Sequence, residues 1–233
     1  MVDKTAFIFA RGGSKGLPGK NKKEFNGKPL ISHTIETAFS VKGISRVIVS
    51  TDDKSIASLS TEAGAEVPFL RPSELSSDLA SEWDAWKHAI KFIYNRDGYL
   101  TDPFISIPTT APLRDRMDVE KCIDLYEESD SDIVITISES SNNPWFNMVK
   151  KDDNSLLSLV NNSSEHIYRR QDAPQVFDIV PVAYVANPKF ILQTNNMFSG
   201  KVRSIEIPKE RSVDIDTLLD FKFAEFISRN SSI

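Results

Sequence analysis

FIFARGGSKGLPGKN, residues 7–21, passes directly from an apolar segment into glycine and positive charge. Phe7 to Ala10 are apolar, Arg11 ends the run, and Gly12, Gly13, Gly16 and Gly19 follow, four of the nine glycines in the chain. Arg11, Lys15 and Lys20 are interleaved with them. A short apolar run without alternation is the pattern of a parallel strand covered on both faces. In an open parallel sheet, ligands sit beyond the carboxyl ends of the strands. A glycine-rich turn at that end lets backbone N–H groups approach an anion, and Lys and Arg can neutralise phosphate charge. The competing reading is a flexible turn with solvated charges. Two common phosphate loops do not fit: Gly19-Lys20 is followed by Asn21 rather than Ser or Thr, and position 14, where both motifs need glycine, is Ser.

The chain around this loop is mildly acidic. It has 233 residues, 40% hydrophobic and 26% charged, with a net charge of −5. That charge argues against a nucleic-acid binder. One cysteine, Cys122, rules out an internal disulfide and suits a reducing cytoplasm. The apolar run near the start is too short for a signal peptide, and no stretch approaches a membrane span, so no membrane partner is expected.

Strand-like and helix-like segments then alternate. TAFIFA (5–10), RVIVS (46–50), VPFL (67–70), PFISI (103–107) and DIVITIS (132–138) read as strands or extended segments. Residues 29–41 place Leu30, Ile31, Thr34, Ile35, Ala38 and Phe39 on one helical face. Asp52 and Asp53 can cap a helix carrying Ile56, Leu59 and Ala63. Residues 82–96 form a strong helical stripe of Trp83, Trp86, Ala89, Ile90 and Ile93, and residues 118–128 also look helical. The β-α-β rhythm predicts an α/β fold with a mainly parallel sheet and helices on both faces.

The rhythm stops after Ser138. Residues 139–176 are polar, with LLSLV (156–160) as their clear apolar run. So long a structureless segment is uncommon inside a domain, and it reads as an excursion, a β-hairpin arm for a homodimer. VPVAYVAN (180–187) and VRSIEIP (202–207) resume the sheet, and a last helix at 217–229 carries Leu218, Phe221, Phe223, Ala224 and Phe226. Cys122 falls on an apolar helix face. His33 and His88 lie on helices without ligand-like partners, and His166 falls in the excursion.

The loop ARGGSKGLPGKN (10–21) resembles the signature loop of the acylneuraminate cytidylyltransferases, which make CMP-activated sialic acids. Three further segments match that family in order: FLRPSELSSDLAS (69–81), RRQDAPQVF (169–177) and SVDIDTLLDF (212–221). PTTAPLR (108–114) matches more loosely. The resemblance spans residues 5–228. It implies a Rossmann-like, three-layer, GT-A-like nucleotidyltransferase fold, one domain over 1–233 with the dimerisation excursion at about 139–176. The implied reaction takes CTP and a sialic-acid-like nonulosonic acid to the CMP-sugar and pyrophosphate. N-acetylneuraminate, legionaminate and pseudaminate are the candidate acceptors, and the product would serve cell-surface glycan synthesis.

Residue by residue, the resemblance puts the nucleotide against Arg11, Gly12, Gly13, Lys15, Lys20, Asn21, Arg71, Ala80 and Ser81. Arg71 precedes Pro72 and is therefore extended. Asp214 and Asp216, at i and i+2, can point two carboxylates to one side and share a hard cation; the resemblance makes that cation Mg²⁺, with Mn²⁺ a possible substitute. Asp216 ahead of Thr217 and Leu218 is also a plausible helix cap, and both roles can hold at once. The acceptor side is assigned to Arg170, Gln171, Gln175 and Tyr184, Arg170 as a clamp for the sugar carboxylate. Arg169 can do the same or form a salt bridge at a subunit interface. Arg11, Lys20, Asp214 and Asp216 are the candidate catalytic residues; no residue stands out as a general base.

The sequence departs from the family at two places. Pro108 stands where the family has glutamine, and Pro181-Val182 where it has Asn-Gly. Both positions face the sugar in the family, so the acceptor can differ from N-acetylneuraminate. A cytidylyltransferase for the shorter keto-deoxyoctonate, a glycosyltransferase with a D-x-D metal motif, and a nucleotide-sensing module without catalysis are the other readings.

Overall fold

The computed structural model describes residues 3–161 and 167–230, so Asn162 and His166 lie outside the described residues. The run beginning at Lys4 forms the strand β1 (Lys4–Phe9), and its alternation decides what packs where. Ala6, Ile8 and Ala10 face one side of the sheet and Phe7 the other. All four are at most 1% exposed, as a strand covered on both faces requires.

Two-residue strands β2 (Glu24–Phe25) and β3 (Lys28–Pro29) form a small hairpin, and helix α1 (Leu30–Ser40) follows it. Then come β4 (Ile44–Ser50), α2 (Lys54–Glu62), α3 (Glu82–Asp97), β5 (Phe104–Ser106) and α4 (Arg116–Glu128). After β6 (Ile133–Glu139), strands β7 (Val149–Lys151) and β8 (Leu157–Leu159) pair with each other outside the main sheet. The chain ends with β9 (Phe177–Ala186), α5 (Pro188–Gln193), β10 (Val202–Glu206) and α6 (Leu218–Asn230).

The main sheet has six strands in the order β10-β6-β9-β5-β1-β4. β1 is parallel to β4 and β5, and β10 is parallel to β6. β9 runs antiparallel between β5 and β6, the one departure from the parallel rule expected from sequence. Side chains from α1, α2 and α4 cover the Ile8 face, and those from α3 and α5 cover the Phe7 face. The result is the three-layer α/β sandwich that the alternation implies. From β1 the chain first adds β4 on one side and later returns to add β5 on the other. A crevice therefore opens at the carboxyl end of β1, where the order reverses.

Several boundaries and faces differ from expectation. VPFL forms no strand of its own; Glu66 and Leu70 make single parallel bridges to Ile48 and Thr51. α5 is absent from the sequence reading because Pro188 opens it with one turn of apolar residues too short to show a period. Phe39 is exposed rather than buried, and so are Leu218, Phe223 and Phe226; α6 buries only Phe221 and Ala224. That narrow contact is decisive for the site, because Phe221 and Ala224 share a cluster with Leu17 of the glycine loop, Phe25, Leu30 and Ile215. No helix among the described residues is long and apolar enough to cross a membrane.

Ile105 sits on β5 at the centre of the sheet, fully buried. Ile105→Ala removes its packing and leaves a void between the sheet and the helices on the Ile8 face, so a loss of about 2–5 kcal/mol is expected from chemical denaturation. A loss below about 1 kcal/mol would show that this strand is not the packed centre.

Candidate functional site

The loop after β1 is held from three directions. Ala10 N–H donates to the Ser50 carbonyl at 3.0 Å, and Gly12 N–H donates to Asp52 Oδ1 at 2.9 Å. The β4–α2 turn thus divides its two carboxylates. Asp53 alone caps α2, accepting from Ser55 and Ile56 N–H, while Asp52, also expected as a cap, anchors the loop instead. Asp53 further receives Lys22 Nζ at 2.8 Å. A Cβ on Gly12 would press on the Asp53 side chain.

The second hold is Asn21, which is buried. Its amide donates to the Arg11 carbonyl at 3.0 Å, and its Oδ1 accepts from Thr109 Oγ1 at 2.6 Å. It ties the two ends of the loop to the turn after β5. The third hold is Lys20. Its side chain is nearly buried, and Nζ donates to the Ile215 carbonyl at 2.5 Å and to Asp216 Oδ1 at 3.1 Å. Gly16 completes this contact: a Cβ there would collide with the Asp216 carbonyl oxygen. Gly19 adopts φ of 68°, which lets the chain turn into Lys20–Lys22.

The acidic segment is fixed in its turn. Ile215 N–H donates to the Thr110 carbonyl at 2.8 Å. Upstream, Arg211 forks onto the buried Asp118 carboxylate at 2.8 and 2.9 Å. The cap reading of Asp216 is not what the structure shows. Thr217 and Asp220 cap α6 reciprocally: Thr217 N–H donates to Asp220 Oδ2 at 2.7 Å, and Asp220 N–H to Thr217 Oγ1 at 3.3 Å. The Asp216 carboxylate is left exposed beside Lys20. Burial raises the Asp214 carboxyl above its ordinary range, Thr110 hydrogen bonding opposes this, and the Asp216 charge adds to the rise.

These elements enclose a cleft of about 390 Å³. Arg11, Lys15, Lys20, Asn21, Arg71, Ala80, Ser81 and Asp216 all line it. Gly12 and Gly13 shape the loop without lining the cleft, and Asp214, also outside its lining, hydrogen-bonds Thr110, which does line it. Arg71 is buried, not solvated. Its Nε donates to Ser50 Oγ at 3.0 Å, its Nη2 reaches the Ser50 carbonyl, and its guanidinium lies 5.6 Å from the Phe9 ring centre. Desolvation lowers it to about 10. Ser81 both lines the cleft and caps α3 through Trp83 N–H.

The residues assigned to the acceptor do not share this cleft. Arg170, Gln171 and Gln175 line a separate cavity of about 350 Å³ with Glu139 and Asn143, and Arg170 donates to the Ser140 and Ser141 carbonyls. Arg169 pairs with Asp172 in its own turn. Tyr184 is largely buried against Trp86 and borders a third cavity with Trp83, Asn195, Asn196 and Phe198. Ser81 and Glu82 border both that cavity and the main cleft. Glu82 escaped the sequence reading because a glutamate at a helix start looks like an ordinary first-turn acid. Desolvation by the cleft walls raises its carboxyl above the usual range, and the nearby Arg71 charge opposes the rise. Asp78 was equally inconspicuous inside SSDLAS. Cys122 is a core residue whose thiol burial pushes up to about 12, and His33 bonds the Phe25 carbonyl.

A sequence model of the family described as Cytidylyltransferase matches residues 5–180. The chain belongs to the cytidylyltransferase family. It is 29% identical over 226 residues to the post-translational flagellin modification protein B of Campylobacter coli, covering 97% of this chain and 95% of that one. It is 30% identical over 216 residues to an N-acylneuraminate cytidylyltransferase of Streptococcus agalactiae serotype V, but spans only 50% of that longer protein. The CMP-N,N'-diacetyllegionaminic acid synthase of Campylobacter jejuni is 29% identical, covering 97% of this chain and 95% of that one. Among solved structures, a CMP:2-keto-3-deoxy-manno-octonic acid synthetase complexed with CTP superposes with a TM-score of 0.71 at 20% identity, covering 97% and 99% of the two chains. That last likeness establishes the nucleotidyltransferase fold. The cytidylyltransferase is thus an enzyme that uses CTP.

Gly16→Ala tests the loop-to-acid contact. The added methyl has to push the loop off the Asp216 backbone and Lys20 with it. Turnover is expected to drop by about 10²-fold, the scale of losing one preorganised stabiliser, while the melting temperature moves little. Wild-type turnover would show that the contact does not matter.

Proposed function

We propose that this cytidylyltransferase moves CMP from CTP to the anomeric hydroxyl of a nonulosonic acid of the N-acetylneuraminate, legionaminate or pseudaminate type. The observation that carries this reading is the convergence of Arg11, Lys15 and Lys20 with Asp216 on one cleft at the carboxyl end of β1. In the reaction the anomeric oxygen attacks the α-phosphorus, the bond to pyrophosphate breaks, and the hydroxyl proton is lost. Such transfer depends on alignment and on stabilising charge at the phosphates. Lys20, already desolvated and fixed, is assigned to the α-phosphate and the leaving group. Arg11 and Lys15 are assigned to the remaining phosphates, and Asn21 keeps the loop in place. Arg71, Ala80 and Ser81 are assigned to the base and ribose side.

The acidic pair suits a divalent cation. Among the described residues no cluster of three or more His, Cys, Asp or Glu side chains forms a metal site. Two carboxylates two residues apart nonetheless concentrate negative charge that a hard cation relieves. Mg²⁺ prefers oxygen ligands and retains several waters, so two carboxylates suffice. Asp214 and Asp216 would hold it, with Mn²⁺ as a substitute. When bound, such an ion offsets phosphate charge.

Tyr184, with its aromatic neighbours beside Glu82, is assigned to the acceptor's substituents. Arg170, Gln171 and Gln175 are assigned to its carboxylate. Their cavity is separate from the cleft within one chain, which supports a homodimer built on the excursion. The hairpin leaves Val149, Leu156 and Leu157 exposed, as a partner-covered surface would. A cytoplasmic site and service to a surface glycan accord with the activated-sugar product.

The test is pyrophosphate release with CTP, Mg²⁺ and a panel of nonulosonic acids. Release is expected with CTP and one or more of these acids, and none after chelation. Lys20→Ala should lower the rate by roughly 10²–10³. Asp214→Asn and Asp216→Asn should each remove most turnover while leaving the melting temperature near wild type, since Thr217 and Asp220 provide the α6 cap. Activity with ATP, GTP or UTP but never with CTP would refute the reading. Separately, sedimentation should show a dimer at micromolar concentration that dissociates when the 149–159 hairpin is replaced by a short linker; a monomeric wild type would refute the arm.

A further inference from the structure

Each loop cation in the cleft already has an acidic partner. Lys20 has Asp216, on a segment held by further hydrogen bonds, and just outside the cleft Lys22 likewise has Asp53. Arg11 and Lys15 share Asp78. Arg11 Nη1 donates to Asp78 Oδ1 at 3.0 Å and to the Ser77 carbonyl at 3.1 Å, and Lys15 Nζ reaches Asp78 Oδ2 at 2.9 Å. The two carboxylate oxygens are thus divided between a guanidinium and an ammonium. The segment that carries Asp78 runs from the turn Ser73–Leu75 to α3 and is exposed at Ser77, Asp78 and Leu79. Leu79, the next residue, is 98% exposed. The Ala80 N–H returns to Ser77, so Asp78 and the cleft-lining Ala80 and Ser81 are joined by one tight turn.

We propose that Asp78 is a phosphate surrogate, a positioning residue whose carboxylate holds Arg11 and Lys15 ready and yields its place to a phosphate of the incoming triphosphate. The proposal rests on the reading of this cleft as the CTP site. Three physical points carry it. One anionic group with two oxygens bridging two separate cations is the arrangement a phosphate adopts. The pairs are solvent-exposed, hence weak, and a multiply charged phosphate competes well for the same cations. Finally, Asp78 cannot remain there once a polyphosphate binds, because its charge would stand against the ligand's at contact distance. Exchange of one anion for another keeps Arg11 and Lys15 paired in both states. It also frees the 76–80 turn, so that phosphate binding is transmitted to Ala80 and Ser81.

The experiment is titration calorimetry of the full chain with CTP and, separately, with inorganic tripolyphosphate. Wild type is compared with Asp78→Ala, Asp78→Asn and the charge-retaining Asp78→Glu, each checked for an unchanged melting curve. Removing a competitor held by two exposed pairs should tighten both ligands by about tenfold in the Ala and Asn variants, lower KM for CTP, and leave Asp78→Glu near wild type. Equal or weaker binding in Asp78→Ala and Asp78→Asn overturns the proposal, since a scaffold residue or a ligand contact gives that result. Failure of the nucleotide reading shows up differently, as wild type that binds no CTP, and it overturns both.

Discussion

One buried ammonium connects the two ends of this protein. Lys20 Nζ donates to the Ile215 carbonyl and to the Asp216 carboxylate, 195 and 196 residues away in sequence. A lysine loses much hydration on such burial, and only full hydrogen bonding makes the position tolerable. The surroundings are built to provide it. Gly16 lets the loop backbone rest on the Asp216 carbonyl, and Leu17, Ile215 and Phe221 pack beneath. The glycine loop and the acidic segment therefore form a single rigid unit. Each keeps the other in place before any ligand arrives, which is the preorganisation that phosphoryl-transfer chemistry depends on.

The remaining contacts extend that unit. Asp52 fixes the start of the loop through Gly12, Asn21 fixes its end through Thr109, and Thr110 holds the acidic segment through Ile215. Arg114 plays a parallel role outside the cleft. Its buried guanidinium reaches the carbonyls of Pro108 and Pro181 and the hydroxyl of Thr34, and desolvation lowers it to about 9. Pro108 and Pro181 are the two positions at which the sequence departs from the pattern it otherwise resembles. One arginine thus bonds the backbone carbonyls at both positions.

Much of this was legible in the sequence. The apolar run before Arg11 announces a doubly covered strand, and the β-α-β rhythm gives the three layers, because buried parallel strands and amphipathic helices leave strong local signals. The loop and the D-I-D segment were recognisable as strings, and they meet in the structure. What sequence could not give was mutual placement. Arg71 is assigned to the nucleotide from its string alone, but its burial beside Ser50, under the cleft it lines, comes only from the fold. Asp52 looked like a helix cap and anchors the loop instead, because two adjacent aspartates offer the same local chemistry and only the fold divides them. The antiparallel β9 was invisible, since an apolar strand carries no mark of its direction. Glu82 and Asp78 were hidden in segments whose local pattern is that of any helix start and any polar turn.

The central claim is that Lys20 and Asp216 act as one device on the same phosphates. A double-mutant cycle on kcat/KM for CTP measures it directly, with Lys20→Met, Asp216→Asn and the combination. The account predicts strong non-additivity, the double variant losing little beyond the worse single one, with a coupling of about tenfold or more. Losses that simply multiply would show two independent groups and would contradict it.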